Sequence, residues 1–160
     1  IVPDAATYTV REYNSGILHV IPNLTADTVI TLPPEEAGLT YEFMYGGAAA
    51  DAQDWLFDSG SNTNYFVGGV VHLDSNADAA ADEVVPVYSD GNSNSKMTVL
   101  TPDAGTTVRL YCDGTLWYVN GHVVSATAPS FADQQATMGL AFERGLFVLN
   151  TRRPYWPMMN

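Results

Sequence analysis

At 160 residues the chain is the size of one ordinary domain, and such a domain hides roughly two thirds of its unfolded surface on folding, enough to stand without staples. Asp and Glu number 18 against 6 Lys and Arg, a formal net charge of −12, which argues against a nucleic-acid binder because affinity for phosphate backbones comes from cations that displace counterions. A hydrophobic content of 46% argues against disorder, and no apolar run approaches the roughly 18 to 20 residues that span a bilayer.

The opening Ile1-Val2-Pro3-Asp4-Ala5-Ala6-Thr7 has no basic stretch followed by an apolar one, so it does not resemble a secretory signal, and it reads as a short arm. From there the pattern switches between alternating and turn-like segments every eight to twelve residues or so, the spacing of a sandwich or barrel. Tyr8 to Tyr13 alternates, Asn14-Ser15-Gly16 breaks it, and Ile17 to Ile21 follows, which predicts a hairpin. Thr28 to Leu32 stops at Pro33-Pro34, and Glu35-Glu36-Ala37-Gly38 turns the chain into Thr40 to Tyr45. Further strands are expected at Trp55 to Phe57, Tyr65 to Leu73, Val84 to Tyr88 and Met97 to Leu100, with surface loops at Asp74 to Glu83 and Ser89 to Ser95.

Between Thr107 and Ala126 three apolar segments are separated by Asp113-Gly114 and Asn120-Gly121, dipeptides that tolerate the positive φ angles of type I′ turns, so a three-stranded meander is predicted. Pro129 to Met138 reads as a short helix and Leu146 to Leu149 as a last strand. The end, Arg152-Arg153-Pro154-Tyr155-Trp156-Pro157, carries prolines that oppose helix and central strand alike and reads as an extended tail. The expectation is a single all-β domain over residues 1–160, an antiparallel β-sandwich of which a jelly roll is one form, with extended arms over about residues 1–7 and 151–160.

Several segments, in order, resemble a module of phage structural proteins. These are Ser15-Gly16-Ile17-Leu18-His19-Val20-Ile21-Pro22-Asn23-Leu24, Ile30-Thr31-Leu32-Pro33, Ala37-Gly38-Leu39-Thr40-Tyr41-Glu42-Phe43 and Cys112-Asp113-Gly114-Thr115-Leu116-Trp117-Tyr118-Val119-Asn120-Gly121. The recurring elements are a strand ending in Leu-Pro, an Ala-Gly-Leu turn into an aromatic strand, and a late Asp-Gly-Thr-x-Trp-Tyr-Val hairpin. The resemblance is to tailed-phage virion proteins of the head decoration or cement type, and it implies a non-enzymatic coat role. It further implies a homotrimer on the capsid surface of the virion, assembled in the host cytoplasm, whose partner is the major capsid protein. The residues expected at capsid or subunit contacts are Ile1 and Val2 in the first arm and Arg152, Arg153, Tyr155 and Trp156 in the last, because Arg, Tyr and Trp are enriched as interface anchors; the alternatives are a frayed start and a lid in which Tyr155 and Trp156 pack back on their own sheet.

Motifs that would carry other chemistry are sparse. Trp55-Leu56-Phe57-Asp58-Ser59-Gly60-Ser61 resembles the active-site segment of aspartic proteases, but that reaction needs two carboxylates sharing a proton, so a single copy has to dimerise through Asp58. Asp-Ser-Gly after a strand is also ordinary turn chemistry. Asp74, Asn76, Asp78, Asp82 and Glu83 space oxygens as a calcium loop does, yet Ala79 stands where such a loop needs Gly and Val85 where it needs Glu. His19, His72 and His122 lie in separate strands without a clustered partner, and Cys112, the one cysteine, has no cationic neighbour in sequence to make it reactive. Asn23-Leu24-Thr25 is a glycosylation acceptor that matters only in a secretory pathway. No catalytic residue, metal site or cofactor is therefore expected. Besides capsid decoration, two functions remain: a fibre or knob domain presenting Trp55, Tyr65, Trp117, Tyr118 or Trp156 to a glycan, and, remotely, the dimeric protease.

Overall fold

The computed structural model describes residues 1–76 and 84–134. Eleven strands lie in two sheets packed face to face: β1 (Thr7–Thr9), β2 (Leu18–Ile21), β3 (Thr28–Thr31), β4 (Thr40–Tyr45), β5 (Trp55–Asp58), β6 (Phe66–Asp74), β7 (Val84–Tyr88), β8 (Lys96–Val99), β9 (Thr107–Cys112), β10 (Trp117–Ser125) and β11 (Ser130–Ala132). A five-stranded sheet runs β1-β3-β5-β8-β11 and a six-stranded sheet runs β2-β4-β9-β10-β6-β7. The all-β sandwich expected from the sequence is therefore the fold.

The strands are where period-two alternation puts them, because each has one face that must leave water. Along β4, Tyr41, Phe43 and Tyr45 point inward; along β5, Trp55 and Phe57 do; along β9, Val108, Leu110 and Cys112 do. The interior they fill is aromatic. Phe43 of one sheet meets Phe57 of the other edge to face, 4.9 Å between ring centroids, an arrangement that sets a ring's positive edge against a negative face. Tyr45 packs on Trp55, Tyr41 on Trp117, and Phe66 on Phe131 of β11. His19 is buried among them, stacked on Phe43 at 4.9 Å and flanked by Tyr8 and Tyr41.

The topology departs from the expected antiparallel order. Strands β1 to β5 alternate between the sheets, so β1 pairs β3 in parallel, β3 pairs β5 in parallel, and β2 pairs β4 in parallel. Strand β10 also lies parallel to β6. Parallel neighbours need a crossover; for the first three pairs it is one strand of the opposite sheet, and for β6 and β10 it is the run β7-β8-β9. The predicted hairpin of residues 8–13 with 17–21 is accordingly absent. After Thr9 the chain sinks Val10 into the core, closes a 3-10 turn at Glu12–Asn14, and crosses to the other sheet, where Gly16 N donates to Thr40 O.

The predicted meander is half right. Asp113-Gly114 turns β9 into β10, with Asp113 Oδ1 accepting from Thr115 N and Leu116 N. Asn120-Gly121 does not turn: β10 runs through it, paired to β9 on one side and to β6 on the other. Gly121 is there for a different reason. Its φ is 142°, and a Cβ on it would stand 2.2 Å from Thr107 O, so only glycine admits β9 this closely. Residues 130–132 of the predicted helix form β11, since Phe131 has Phe66 to pack on, and the remainder beyond Gln134 lies outside the described residues, as does the strand predicted at 146–149.

The first residues are not a free arm. Val2 is buried in the core, its N–H donates to Val20 O at 2.8 Å, and Asp4 Oδ1 accepts from Thr25 N. Ile1 is 96% exposed, and Pro3 to Thr7 are exposed as well. The opposite end of the described chain is latched by Gln134, whose Nε2 donates to Asp58 Oδ1 and Ser95 O.

Truncating the cross-sheet contact, Phe57→Ala, is expected to cost about 3–5 kcal/mol in urea unfolding through lost burial and the cavity left behind. Gly121→Ala, which sets a Cβ against backbone in a left-handed conformation, is expected to cost roughly 2 kcal/mol or more by the same measurement. Burial holds the His19 pKa below its ordinary value, against the pull of the Ile17 and Glu42 backbones. The unfolded state therefore binds the proton first. The contribution of neutral His19 to stability is complete above pH 6.5 and is lost as pH falls below that value toward the lower folded pKa. Comparison of urea midpoints at pH 7.5 and 5.5 should show a smaller acid loss in His19→Phe than in the parent.

Candidate interaction surface

The outward positions of the six-stranded sheet follow from its registers. One row crosses all six strands: Val20, Met44, Thr107, His122, Val71 and Pro86. Beside it run Leu18, Glu42, Arg109 and Asn120, then Thr40, Tyr111, Tyr118 and Val67 on one flank. Val124, Leu73 and Val84 lie on the other flank, and Tyr88 stands opposite Gly69 near the β7 edge. Strand alternation normally makes such a face polar where it meets water. Here Leu18, Val71, Val84, Tyr88, Tyr111 and Tyr118 are large apolar or aromatic side chains at least 39% exposed, with Val20, Met44, Val67, Leu73 and Val124 half-buried among them and Thr40, Thr107, Asn120 and His122 as the uncharged polar members.

Charge is nearly missing from this face. The chain's cations are Arg11, Lys96, Arg109, Arg144, Arg152 and Arg153, and of these only Arg109 stands in the rows above, opposite the one carboxylate there, Glu42. Arg109 Nε and Nη2 both donate to Glu42 Oε1, at 3.0 and 2.9 Å, and the carboxylate raises the guanidinium pKa further. At the tip of the β9–β10 hairpin, backbone N–H groups of Leu116 and Thr115 hold the Asp113 carboxyl below its usual range, and that carboxylate in turn raises the Tyr118 phenol. A shallow groove of about 300 Å³ runs beside the ion pair between Ile17, Leu18, Thr40 and Tyr111. The outer face of the other sheet differs: Thr7, Thr9, Thr31, Thr98, Asp58, Lys96 and Ser130 dominate it, with Val29 and Leu56 half-buried among them.

Of the residues singled out in the sequence, Ile1 is exposed and Val2 is core, so Val2 is not available as a contact residue; Arg152, Arg153, Tyr155 and Trp156 lie outside the described residues. Trp55 and Trp117 are fully buried and present no face to a glycan, while Tyr118 is 41% exposed. Asp58 ends β5 as the sequence places it, but its Oδ1 is taken by Gly60 N at 2.8 Å and Gln134 Nε2, the bonding of a turn and a latch. His72 Nε2 bonds Ser125 O, and His122 Nδ1 faces Thr107 Oγ1; among the described residues no three His, Cys, Asp or Glu side chains converge. Cys112 is buried and its thiol pKa is pushed up by that burial. In the loop at 89–95, Asp90 Oδ1 accepts from Asn92, Ser93 and Asn94 N–H groups and its Oδ2 from the Ser93 hydroxyl, which lowers the carboxyl pKa to about 2.

The exposed sheet face itself escaped the sequence reading. Its signal was a lack of alternation: Val70-Val71 and Val84-Val85-Pro86-Val87-Tyr88 are apolar on both sides of the strand, the same pattern a strand buried on both faces shows. Comparison with family models, with curated proteins and with solved structures found no match to the chain.

Proposed function

We propose that this chain is a virion coat protein of the head-decoration type, a homotrimer that binds the outer surface of an assembled phage head and stabilises the contacts between major capsid proteins. The observation that carries the reading is the outer face of the six-stranded sheet, where six large apolar or aromatic side chains stand exposed around a single ion pair. Exposed apolar patches of this kind mark surfaces for macromolecular partners. The order of segments from Ser15 to Gly121 that resembles phage structural modules points the same way.

Decoration works by linkage. A protein that binds only the assembled shell stabilises it in proportion to occupancy, with no bond made or broken. The acidic surface opposes non-specific association between oligomers, and the basic, aromatic segment Arg152-Arg153-Pro154-Tyr155-Trp156 is the part assigned to the shell. The glycan-binding alternative loses two of its platforms with the burial of Trp55 and Trp117.

Cosedimentation of the purified protein with empty expanded heads tests the proposal. Binding is expected, together with a higher melting temperature of the heads. Trp156→Ala is expected to weaken binding roughly thirtyfold, the scale of an aromatic anchor at an interface. Heads that sediment without the protein and melt unchanged would refute decoration.

A further inference from the structure

We infer that the outer face of the six-stranded sheet is the surface through which copies of this chain meet each other. The inference deepens the oligomeric part of the proposal above and does not rest on capsid binding.

Charge selects the occupant. Two copies with a formal net charge of −12 each repel wherever their acidic surfaces approach. On this face the charges cancel locally, because Arg109 is held by Glu42 at 2.9 Å. A strongly basic partner finds a single, already paired carboxylate here, and an acidic partner finds a guanidinium already engaged. An uncharged apolar counterpart fits, and a second copy supplies one; in a trimer the contact is head to tail, one part of the face against another part of the neighbour's.

The β7 edge indicates how the copies touch. Val84 and Tyr88 are 69% and 74% exposed, and between them Pro86 carries no N–H, which interrupts any ladder added along this edge. Contact through side chains remains open while strand addition is blocked. Val71, next to Pro86 in the register, completes the patch.

Light scattering of the full chain over a range of concentrations tests the inference, with Val71→Glu and Tyr88→Glu on the face and Thr98→Glu on the opposite sheet as control. The parent and the control are expected to share one multiple of the 17.3 kDa chain mass. Each face variant is expected to raise the dissociation constant about tenfold or more, and the double variant to run as a single chain. Hydroxyl-radical footprinting of the unmutated protein provides a second readout, free of any folding defect. Modification of Tyr88 and Tyr118 should fall as the oligomer forms, while Tyr13, 81% exposed and off this face, should not change. A parent that stays a single chain, or face variants that keep its mass, would overturn the inference. So would constant reactivity of Tyr88 and Tyr118 across the mass transition. Protection of both tyrosines in a single-chain species would overturn it too, by assigning the face to residues 135–160 of the same chain. A single chain that still binds heads would sink this inference and the trimer with it while decoration stands, and an oligomer that ignores heads would sink decoration alone.

Discussion

The contact between Phe43 and Phe57 across the sandwich is the constraint on which the rest of the structure depends. Phe57 belongs to the central strand of its sheet and Phe43 to an interior strand of the other, and each is fully buried. Placing them edge to face sets how the two sheets meet, and Trp55, Tyr45, Tyr41, Trp117 and His19 fill the space around them in a connected set of ring contacts. Aromatic side chains bury more area than any others, so a core built from them tolerates short strands and long irregular connections. Even the first residues are recruited to it through Val2, and the last described ones through Phe131.

Alternation of successive strands between the sheets follows from the same constraint. A chain that crosses the sandwich at each turn delivers inward-facing aromatics alternately from both sides, and the strands it lays down next to one another run parallel. The hairpins β6–β7 and β9–β10 are the two places where consecutive strands pair directly. Both belong to the six-stranded sheet, whose outer face carries the exposed tyrosines and valines. The two outer faces thus have different chemistry, one rich in threonine and the other rich in exposed aromatic and aliphatic side chains, and the proposed contact rests on that asymmetry.

Much of the fold was legible before any coordinates. From Leu18 to Cys112 the predicted strands agree with the observed ones to within about a residue at most ends, because burial of one face imposes a period of two on the side chains wherever the sheet is formed. The Asp113-Gly114 turn was legible because glycine admits the positive φ, 98°, that the chain takes at Gly114. The Asn120-Gly121 turn was misread because glycine answers two demands: positive φ in a two-residue turn, and room for a neighbouring backbone inside a sheet. Nothing local separates the two. The interaction face was illegible for a related reason, since Val84-Val85-Pro86-Val87-Tyr88 looks the same whether its second face meets a layer of protein or stands open.

The amino-acid sequence by itself determined the class of the protein: all β and acidic, with strands and breaks at set positions. Those properties come from side-chain period, charge and turn chemistry, which act over a few residues and need no knowledge of partners. Tertiary structure decided which strands became neighbours, that Val2, Trp55 and Trp117 are core, and that Leu18, Val71, Tyr88, Tyr111 and Tyr118 share one open face. Those outcomes depend on contacts between residues far apart in the chain, settled by which buried surfaces fit together, and period and turn signals carry no record of that fit.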